Sequence, residues 1–203
     1  MKQQATKYMP LKDLVSFKMG KVIKKLSVLR QEGKLSNGLY DIISSAIKPI
    51  GKWNEFNTDG NTITITKDGD CGNVAWHAQP FWATEHSITL INNVPSTINS
   101  KYLFYYLKAI ENQIKELKVQ SAPDFLRIDD LKQIEVPVPN LETQNQIVNI
   151  LDRFLHLTNQ LISELTSELT SRNHQYQYYL KTLLDFSKPQ SHPLLIKNGG
   201  GGN

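Results

Sequence analysis

Residues 141–188, LETQNQIVNILDRFLHLTNQLISELTSELTSRNHQYQYYLKTLLDFSK, contain no glycine or proline and place apolar side chains at every seventh position. Two such series run through the segment, and ten of their twelve members are apolar. The first is Val148, Leu155, Ile162, Leu169, Tyr176 and Leu183, and the second is Leu151, Thr158, Leu165, Arg172, Tyr179 and Phe186. A heptad repeat sustained this long predicts one long helix with a coiled-coil seam.

The predicted seam needs a partner to cover it. At about 1.5 Å per residue, a helix over residues 141–187 is roughly 70 Å long, and the shorter helix predicted at residues 101–118 cannot cover that length. We therefore expect a homodimer or a partner's helix, with a helix folded back on its own domain as the alternative. The predicted interface comprises Val148, Leu151, Leu155, Ile162, Leu165, Leu169, Arg172, Tyr176, Tyr179 and Leu183.

Arg172 bears on the direction of the two helices. In a parallel pair it would face its own copy, so that two like charges would be partly desolvated in one layer. In an antiparallel pair the two arginines occupy separate layers. This difference favours an antiparallel homodimer.

The residues before the long helix predict a β-rich domain. The segment 62–66, TITIT, alternates strictly, so its isoleucines share one face of a strand. An amphipathic helix is predicted at 101–118, and Pro137 and Pro139 require extended chain at 134–139. The predicted fold class is α+β: a small β-rich domain with packed helices over 1–139, the long helix over 140–188 and a flexible tail over 189–203.

The charge of the chain is concentrated near its start. The net charge is +4, and residues 1–35 hold nine Lys and Arg against two Asp and Glu. A basic segment is compatible with a nucleic-acid partner, and a solvated basic surface is the other reading. Amide side chains in the loops that follow have the chemistry for reading base edges.

Enzymatic and membrane motifs are absent from the sequence. It has no phosphate-binding glycine loop, no HExxH and no GxSxG, and Cys71 is the only cysteine. We expect no metal site, no membrane span, no secretory signal and a cytoplasmic protein. An enzyme would require Cys71, His77 and an acid to meet, and it ranks behind the binding interpretations.

Several segments together resemble a known family. These are 41–45 (DIISS), 69–75 (GDCGNVA), 81–84 (FWAT), and above all 125–139 (FLRIDDLKQIEVPVP), which runs into 141–148 (LETQNQIV). They resemble the specificity (S) subunit of type I restriction–modification enzymes, and the resemblance covers roughly residues 8–187. The order of these segments and the spacing between them are similar to those of the family.

This resemblance implies a non-catalytic DNA-recognition role. Family S subunits carry two recognition domains for a split DNA target and two long helices in an antiparallel coiled coil, on which methyltransferase subunits dock and restriction subunits join. The cofactors S-adenosylmethionine and ATP are expected only in those partner subunits. This sequence holds one domain and one helix, so a homodimer would read a split palindrome by symmetry. The alternative is a coiled-coil adaptor or decoy that binds methyltransferase subunits without reading DNA.

The predicted contacts to double-stranded DNA divide into two sets. Basic side chains would hold phosphates: Lys18, Lys21, Lys24, Lys25, Arg30 and Lys34. Loop polar groups would read bases: Asn37, Asn54, Asn73, His77 and Gln79.

Overall fold

The computed structural model describes residues 6–23, 38–46 and 48–185. They form nine strands and five helices: β1 (Lys7–Pro10), α1 (Leu11–Leu14), β2 (Val15–Met19), β3 (Tyr40–Ile43), β4 (Lys52–Trp53), β5 (Thr62–Thr66), β6 (Val74–His77), β7 (Phe81–Ala83), β8 (Ser87–Asn92), α2 (Ser100–Ala109), α3 (Glu111–Glu116), α4 (Ile128–Lys132), β9 (Glu135–Val138) and α5 (Leu141–Leu184). The chain divides into two compact units within α5, at Asp152. This mixed arrangement with one long helix confirms the predicted fold class.

A four-stranded antiparallel sheet in the order β2-β8-β5-β6 forms the centre of the first unit. The alternation on β5 is confirmed, because Ile63 and Ile65 are buried in one core opposite Leu90 and Ile88 of β8. The threonines of β5 are buried as well, which alternation alone does not predict. Thr64, for example, is paired with a histidine ring of β6 at 2.8 Å, so both faces of the strand are covered.

The helix predicted at 101–118 is broken at Ile110 into α2 and α3. The apolar stripe continues across the break, since Leu103, Leu107 and Ile114 are fully buried. Asn99 caps α2 by accepting hydrogen bonds from the backbone N–H groups of Lys101 and Tyr102. Satisfying these otherwise unpaired N–H groups fixes the start of the helix.

A second sheet of three strands, in the order β4-β3-β7, lies in the same unit. Strand β3 pairs antiparallel with β4 and parallel with β7. Its own small core joins Ile23 and Ile42 with the half-buried Trp53 and Trp82. The Trp82 indole N–H donates to the carbonyl of Lys21 at 3.0 Å, which ties the chain after β2 to this sheet.

The proline-containing segment before α5 is extended, as predicted. It forms β9, which pairs antiparallel with β1. Two tyrosine hydroxyls of α2 donate to β9 carbonyls: Tyr102 to Pro137 at 2.9 Å and Tyr106 to Glu135 at 2.8 Å. The strand is therefore held by hydrogen bonds from both β1 and α2.

Gln144 fastens the first turn of α5 to the first unit. Its side chain is fully buried; Oε1 accepts from the Asn99 N–H at 2.8 Å, and Nε2 donates to the Thr97 and Pro139 carbonyls. Buried polar groups are costly unless paired, and here three backbone groups from two segments meet one amide. This contact explains the glutamine in the segment LETQ that follows β9.

Helix α5 contains 44 residues, so it is about 66 Å long. Only its beginning is covered by the first unit: Gln144 and Val148 are its buried residues. Val148 is 8% exposed and belongs to the core of its own domain. The prediction that Val148 lies in a dimer interface is therefore corrected, because its side chain is already packed within the chain.

Candidate nucleic-acid interface

Two of the predicted phosphate contacts fall within the described residues. Lys18 of β2 and Lys21 just after it are both exposed. The Lys18 ammonium donates to the Asn57 carbonyl at 3.1 Å, and the backbone of Lys21 is anchored by a hydrogen bond to the Ala83 carbonyl. The remaining predicted contacts before β3 lie outside the described residues: Lys24, Lys25, Arg30, Lys34 and Asn37.

Lys18 borders a place where two loops meet. The loop at 54–61 is held beside the loop at 78–80 by reciprocal hydrogen bonds between the backbones of Thr58 and Phe81, the residue that directly follows the second loop, at 3.2 and 3.0 Å. Gly60 fits against the second loop so closely that a Cβ atom there would lie 2.4 Å from the Ala78 carbonyl oxygen. We call residues 54–61 and 78–80 together the loop pair. It contains two exposed amides predicted to read bases, Asn54 and Gln79.

Asn57 anchors the loop pair, a role that the sequence analysis did not assign. Its side-chain amide exchanges two hydrogen bonds of 2.8 Å with the backbone N–H and carbonyl of Ala83. Its Oδ1 also accepts from the Thr58 hydroxyl at 3.0 Å. The side chain thus makes the pair of hydrogen bonds that a neighbouring strand would make, using its carbonyl oxygen and one of its two amide hydrogens within the chain. The position of Asn57 directly before Thr58 is only a weak sign of this anchoring role. The sequence alone does not distinguish Asn57 from Asn54.

A surface cleft of about 310 Å³ lies beside the loop pair. Lys18, Phe56 and Asp59 are among the residues that line it. The Phe56 ring is 45% exposed and packs against the Tyr40 ring, with the centroids 4.9 Å apart and the planes tilted by 55°. A cation, an exposed aromatic ring and a carboxylate therefore lie together at one edge of the domain.

Asn73 is not at the surface. Asn73 is 3% exposed, and its Nδ2 donates to the Asp70 carbonyl at 2.8 Å within the turn before β6. The prediction that Asn73 reads bases is corrected on this ground, because a base edge cannot reach a buried amide that holds a turn closed. Its Oδ1 is buried without a hydrogen-bond partner.

His77 is also occupied by contacts within the domain. Its Nε2 lies 2.8 Å from the Thr64 hydroxyl, and its ring packs on Phe81 with a centroid distance of 4.2 Å. Burial lowers the pKa of His77 to about 4, and the nearby Asp41 opposes this effect. The ring is therefore neutral at pH 7 and contributes no positive charge toward DNA.

The exposed part of α5 carries two apolar stripes. The first is the predicted seam after Val148, in which Leu151, Leu155, Ile162, Leu165, Leu169, Tyr176, Tyr179 and Leu183 are exposed. A second stripe with helical spacing lies beside it in the first part of the helix: Ile150, Phe154, Leu157 and Leu161 are each more than half exposed. Contiguous exposed apolar surface of this kind marks sites of protein association. The second stripe was missed because the heptad count followed one seam only.

Neither a metal site nor a membrane helix is found in the part of the chain that the structure describes. Over residues 6–23, 38–46 and 48–185, no three His, Cys, Asp or Glu side chains are grouped to hold a metal ion. In the same residues, no helix is long and apolar enough to cross a bilayer.

The described residues thus form an α+β domain with an amide-bearing loop pair, followed by a long helix with exposed apolar stripes. Residues 4–171 match the type I restriction modification DNA specificity domain. The chain belongs to this family, which comprises DNA-recognition components rather than enzymes.

Related proteins agree with this assignment. The chain is 32% identical over 162 residues to a putative type I specificity subunit of Mycoplasma pneumoniae, covering 79% of this chain and 43% of that protein. The crystal structure of a type I S subunit from M. genitalium superimposes with a TM-score of 0.72 at 26% identity, over 91% of this chain and 48% of that one. A structure from work on type I complex assembly has a TM-score of 0.57 at 15% identity, over 88% and 43%, and shows the shared fold alone.

The chain spans less than half the length of these relatives. The residues that the structure describes correspond to one mixed domain and one long helix.

Proposed function

We propose that this chain is a half-size DNA-specificity subunit, which homodimerises through α5, reads a split palindromic target and docks methyltransferase subunits. The observation that carries the proposal is the loop pair beside Lys18 and Lys21, in a domain of the DNA-specificity family. It combines cations for phosphate with exposed amides for base edges, which are the two kinds of contact that specific DNA binding needs.

Base reading is assigned to the exposed groups of the loop pair. Asn54 and Gln79 are exposed at the surface, whereas the side chain of Asn57 bonds to the backbone of Ala83. Amides pair with adenine through both of its major-groove groups. The rigid support from Ala83 and Phe81 reduces the entropy lost when these loops meet a base.

Homodimerisation is supported by the exposed seam of α5. A helix of about 66 Å with large apolar residues exposed beyond residue 152 has no intramolecular cover among the described residues. Two copies related by a two-fold axis present two identical recognition domains, so their half-sites are inverted repeats.

Methyltransferase docking is assigned to the second stripe on α5. Ile150, Phe154, Leu157 and Leu161 offer apolar surface next to the seam, and the stripe ends where Glu164 and Glu168 follow at the same spacing. A helix with two apolar stripes can contact two partners at once. In this scheme the partner subunits bind S-adenosylmethionine and ATP, and this chain contributes only the recognition of the DNA sequence.

A salt titration tests DNA recognition. The full chain, alone and with a type I methyltransferase subunit, is titrated onto a fluorescent duplex at increasing salt. The affinity is expected to fall steeply with salt, and the Lys18→Gln, Lys21→Gln double variant is expected to bind more weakly with a slope reduced by about 2. Lys132→Gln is the matched control, because Lys132 lies on α4 and pairs with Asp129.

The alternative role gives a different outcome in the same titration. A chain that binds the methyltransferase subunit but no duplex, even at low salt, is the adaptor or decoy, and the DNA-specificity proposal is then wrong. Retained binding with an unchanged slope in the double variant contradicts the assignment of Lys18 and Lys21 to phosphate contacts.

A further inference from the structure

The cleft beside the loop pair holds an exposed carboxylate close to a cation assigned to DNA phosphate. Lys18 and Asp59 both line the cleft, and the Lys18 ammonium donates to the Asn57 carbonyl. Among the residues that the structure describes, no lysine or arginine forms an ion pair with Asp59. Phosphates repel a carboxylate at such a surface, so its position is unfavourable unless the DNA offers it a hydrogen-bond donor.

The walls of the cleft come from the central sheet and from the first loop of the loop pair. Lys18 lies opposite Thr89 in the pairing of β2 with β8, and Ile91 lies two residues further along β8. Side chains two residues apart on a strand point to the same face, so Lys18 and Ile91 line the cleft from one face of the sheet. Phe56 and Asp59 line it from the loop.

Phe56 and Asp59 flank the two residues that anchor this loop. Asn57 bonds to the backbone of β7 through its side chain, and the buried Thr58 bonds to β7 through its backbone. The two flanking side chains are exposed, yet their backbone is held in place. A carboxylate that is positioned before binding loses less entropy when it meets a base.

The major groove of DNA presents two hydrogen-bond donors that suit a carboxylate, the 4-amino group of cytosine and the 6-amino group of adenine. Guanine and thymine present acceptors to the groove beside the pairing edge, which repel a carboxylate. The amino group of adenine lies next to the acceptor N7, whereas that of cytosine lies next to the apolar C5 edge of its ring. A carboxylate beside an aromatic ring therefore fits cytosine better than adenine.

We propose that Asp59 selects a cytosine of the DNA target by accepting a hydrogen bond from its 4-amino group, with the Phe56 ring packed on the C5 edge of the same base. This inference rests on the DNA-specificity role proposed above and adds a base to it. Lys18, on the sheet side of the cleft, keeps its assignment to a phosphate.

Selection of bound duplexes from a random library tests the choice of base, using the full chain with a type I methyltransferase subunit. We expect cytosine at one position of the recovered half-site. Asp59→Asn should lower the preference for cytosine over adenine there at least about 10-fold, because an amide pairs with both N6 and N7 of adenine. Glu55→Gln is the matched control, since it removes the same charge from an exposed residue of the same loop that does not line the cleft.

A modified base tests the hydrogen bond itself. N4-methylcytosine in place of the selected cytosine replaces the amino hydrogen that faces the major groove, and the base still pairs with guanine. The affinity of the unsubstituted chain is expected to fall about 10-fold, and that of Asp59→Asn should change much less. Phe56→Ala is expected to weaken binding to the cytosine duplex, because it removes the apolar contact with the base.

Each contrary result has a separate meaning. An unchanged base preference in Asp59→Asn, an equal change in Glu55→Gln, or adenine at the position that responds to Asp59 overturns the inference and leaves the DNA-specificity role standing. An unchanged affinity of Phe56→Ala overturns the part assigned to the ring. If the unsubstituted chain recovers no preferred sequence, the proposed function fails, and this inference fails with it.

Discussion

The first eight residues of α5 and the rest of the helix share one heptad repeat but differ in what covers it. In residues 141–148 the repeat is used within the chain, because Gln144 and Val148 are buried in the domain. From Leu151 to Leu183 every large apolar seam member is exposed. Periodicity therefore identifies the apolar face of a helix, and only the tertiary contacts decide which part of that face is left for a partner.

The largest expected effect is on dimerisation, and it comes from placing charges in the exposed part of the α5 seam. Leu165→Asp with Leu169→Asp places four carboxylates in the seam of the proposed dimer, and we expect the dimer dissociation constant to rise at least about 1,000-fold. Sedimentation of the full chain measures the association. The matched control is Ser163→Asp with Ser167→Asp, which adds the same charge outside the seam. An unchanged dimer in the leucine variant would show that the interface lies elsewhere.

Substitutions in the buried first turns of α5 are expected to lower the stability of the domain rather than weaken the dimer. Gln144→Leu leaves the Asn99 N–H and the Thr97 and Pro139 carbonyls without their partner, and the free energy of unfolding should fall by about 3 kcal/mol. Urea unfolding followed by tryptophan fluorescence reports on the first unit, since Trp53, Trp76 and Trp82 all lie there. The exposed neighbour Gln146→Leu is the control. Equal stability of the two variants would contradict the role of Gln144.

Val148 and Leu155 are consecutive members of one heptad series, and truncating each of them is expected to have a smaller and different effect. Val148→Ala should lower the free energy of unfolding of the domain by about 2 kcal/mol, because it opens a cavity in a packed core. Leu155→Ala should leave that value unchanged in dilute protein and weaken the dimer, since its side chain is exposed in the single chain. Urea unfolding and sedimentation of both variants provide the two readouts. The reverse pattern would place the limit of the domain beyond Leu155.

The sequence predicted the features that depend on local pattern. The heptads of α5, the alternation of β5 and the extended segment around Pro137 follow from side-chain periodicity and the fixed proline backbone angle. The break at Ile110 was not predictable, because the apolar stripe runs through it without interruption. The α+β fold class with one long helix follows from the same patterns.

The candidate site was less predictable than the fold. Asn54, Asn57 and Asn73 are the same residue type in similar loops, yet one is exposed, one anchors the loop pair and one is buried in a turn. Which of these applies depends on Ala83 and Asp70, which are 26 and 3 residues from their partners along the chain. The bond between Asn57 and Ala83 joins distant segments and leaves no pattern in a single sequence. The bond between Asn73 and Asp70 is local, but the burial of its turn depends on the packing of the rest of the domain.

Selection of bound DNA from a random library tests the central claim most directly. The full chain with a methyltransferase subunit is used to enrich duplexes over several rounds, and the recovered sequences are aligned. We expect a split target whose two half-sites are inverted repeats of each other, separated by a spacer of fixed length. Asn54→Ala with Gln79→Ala should relax the half-site preference without abolishing binding. Recovery of one unsplit site, of two different half-sites, or of no preferred sequence would contradict a homodimeric DNA-specificity subunit.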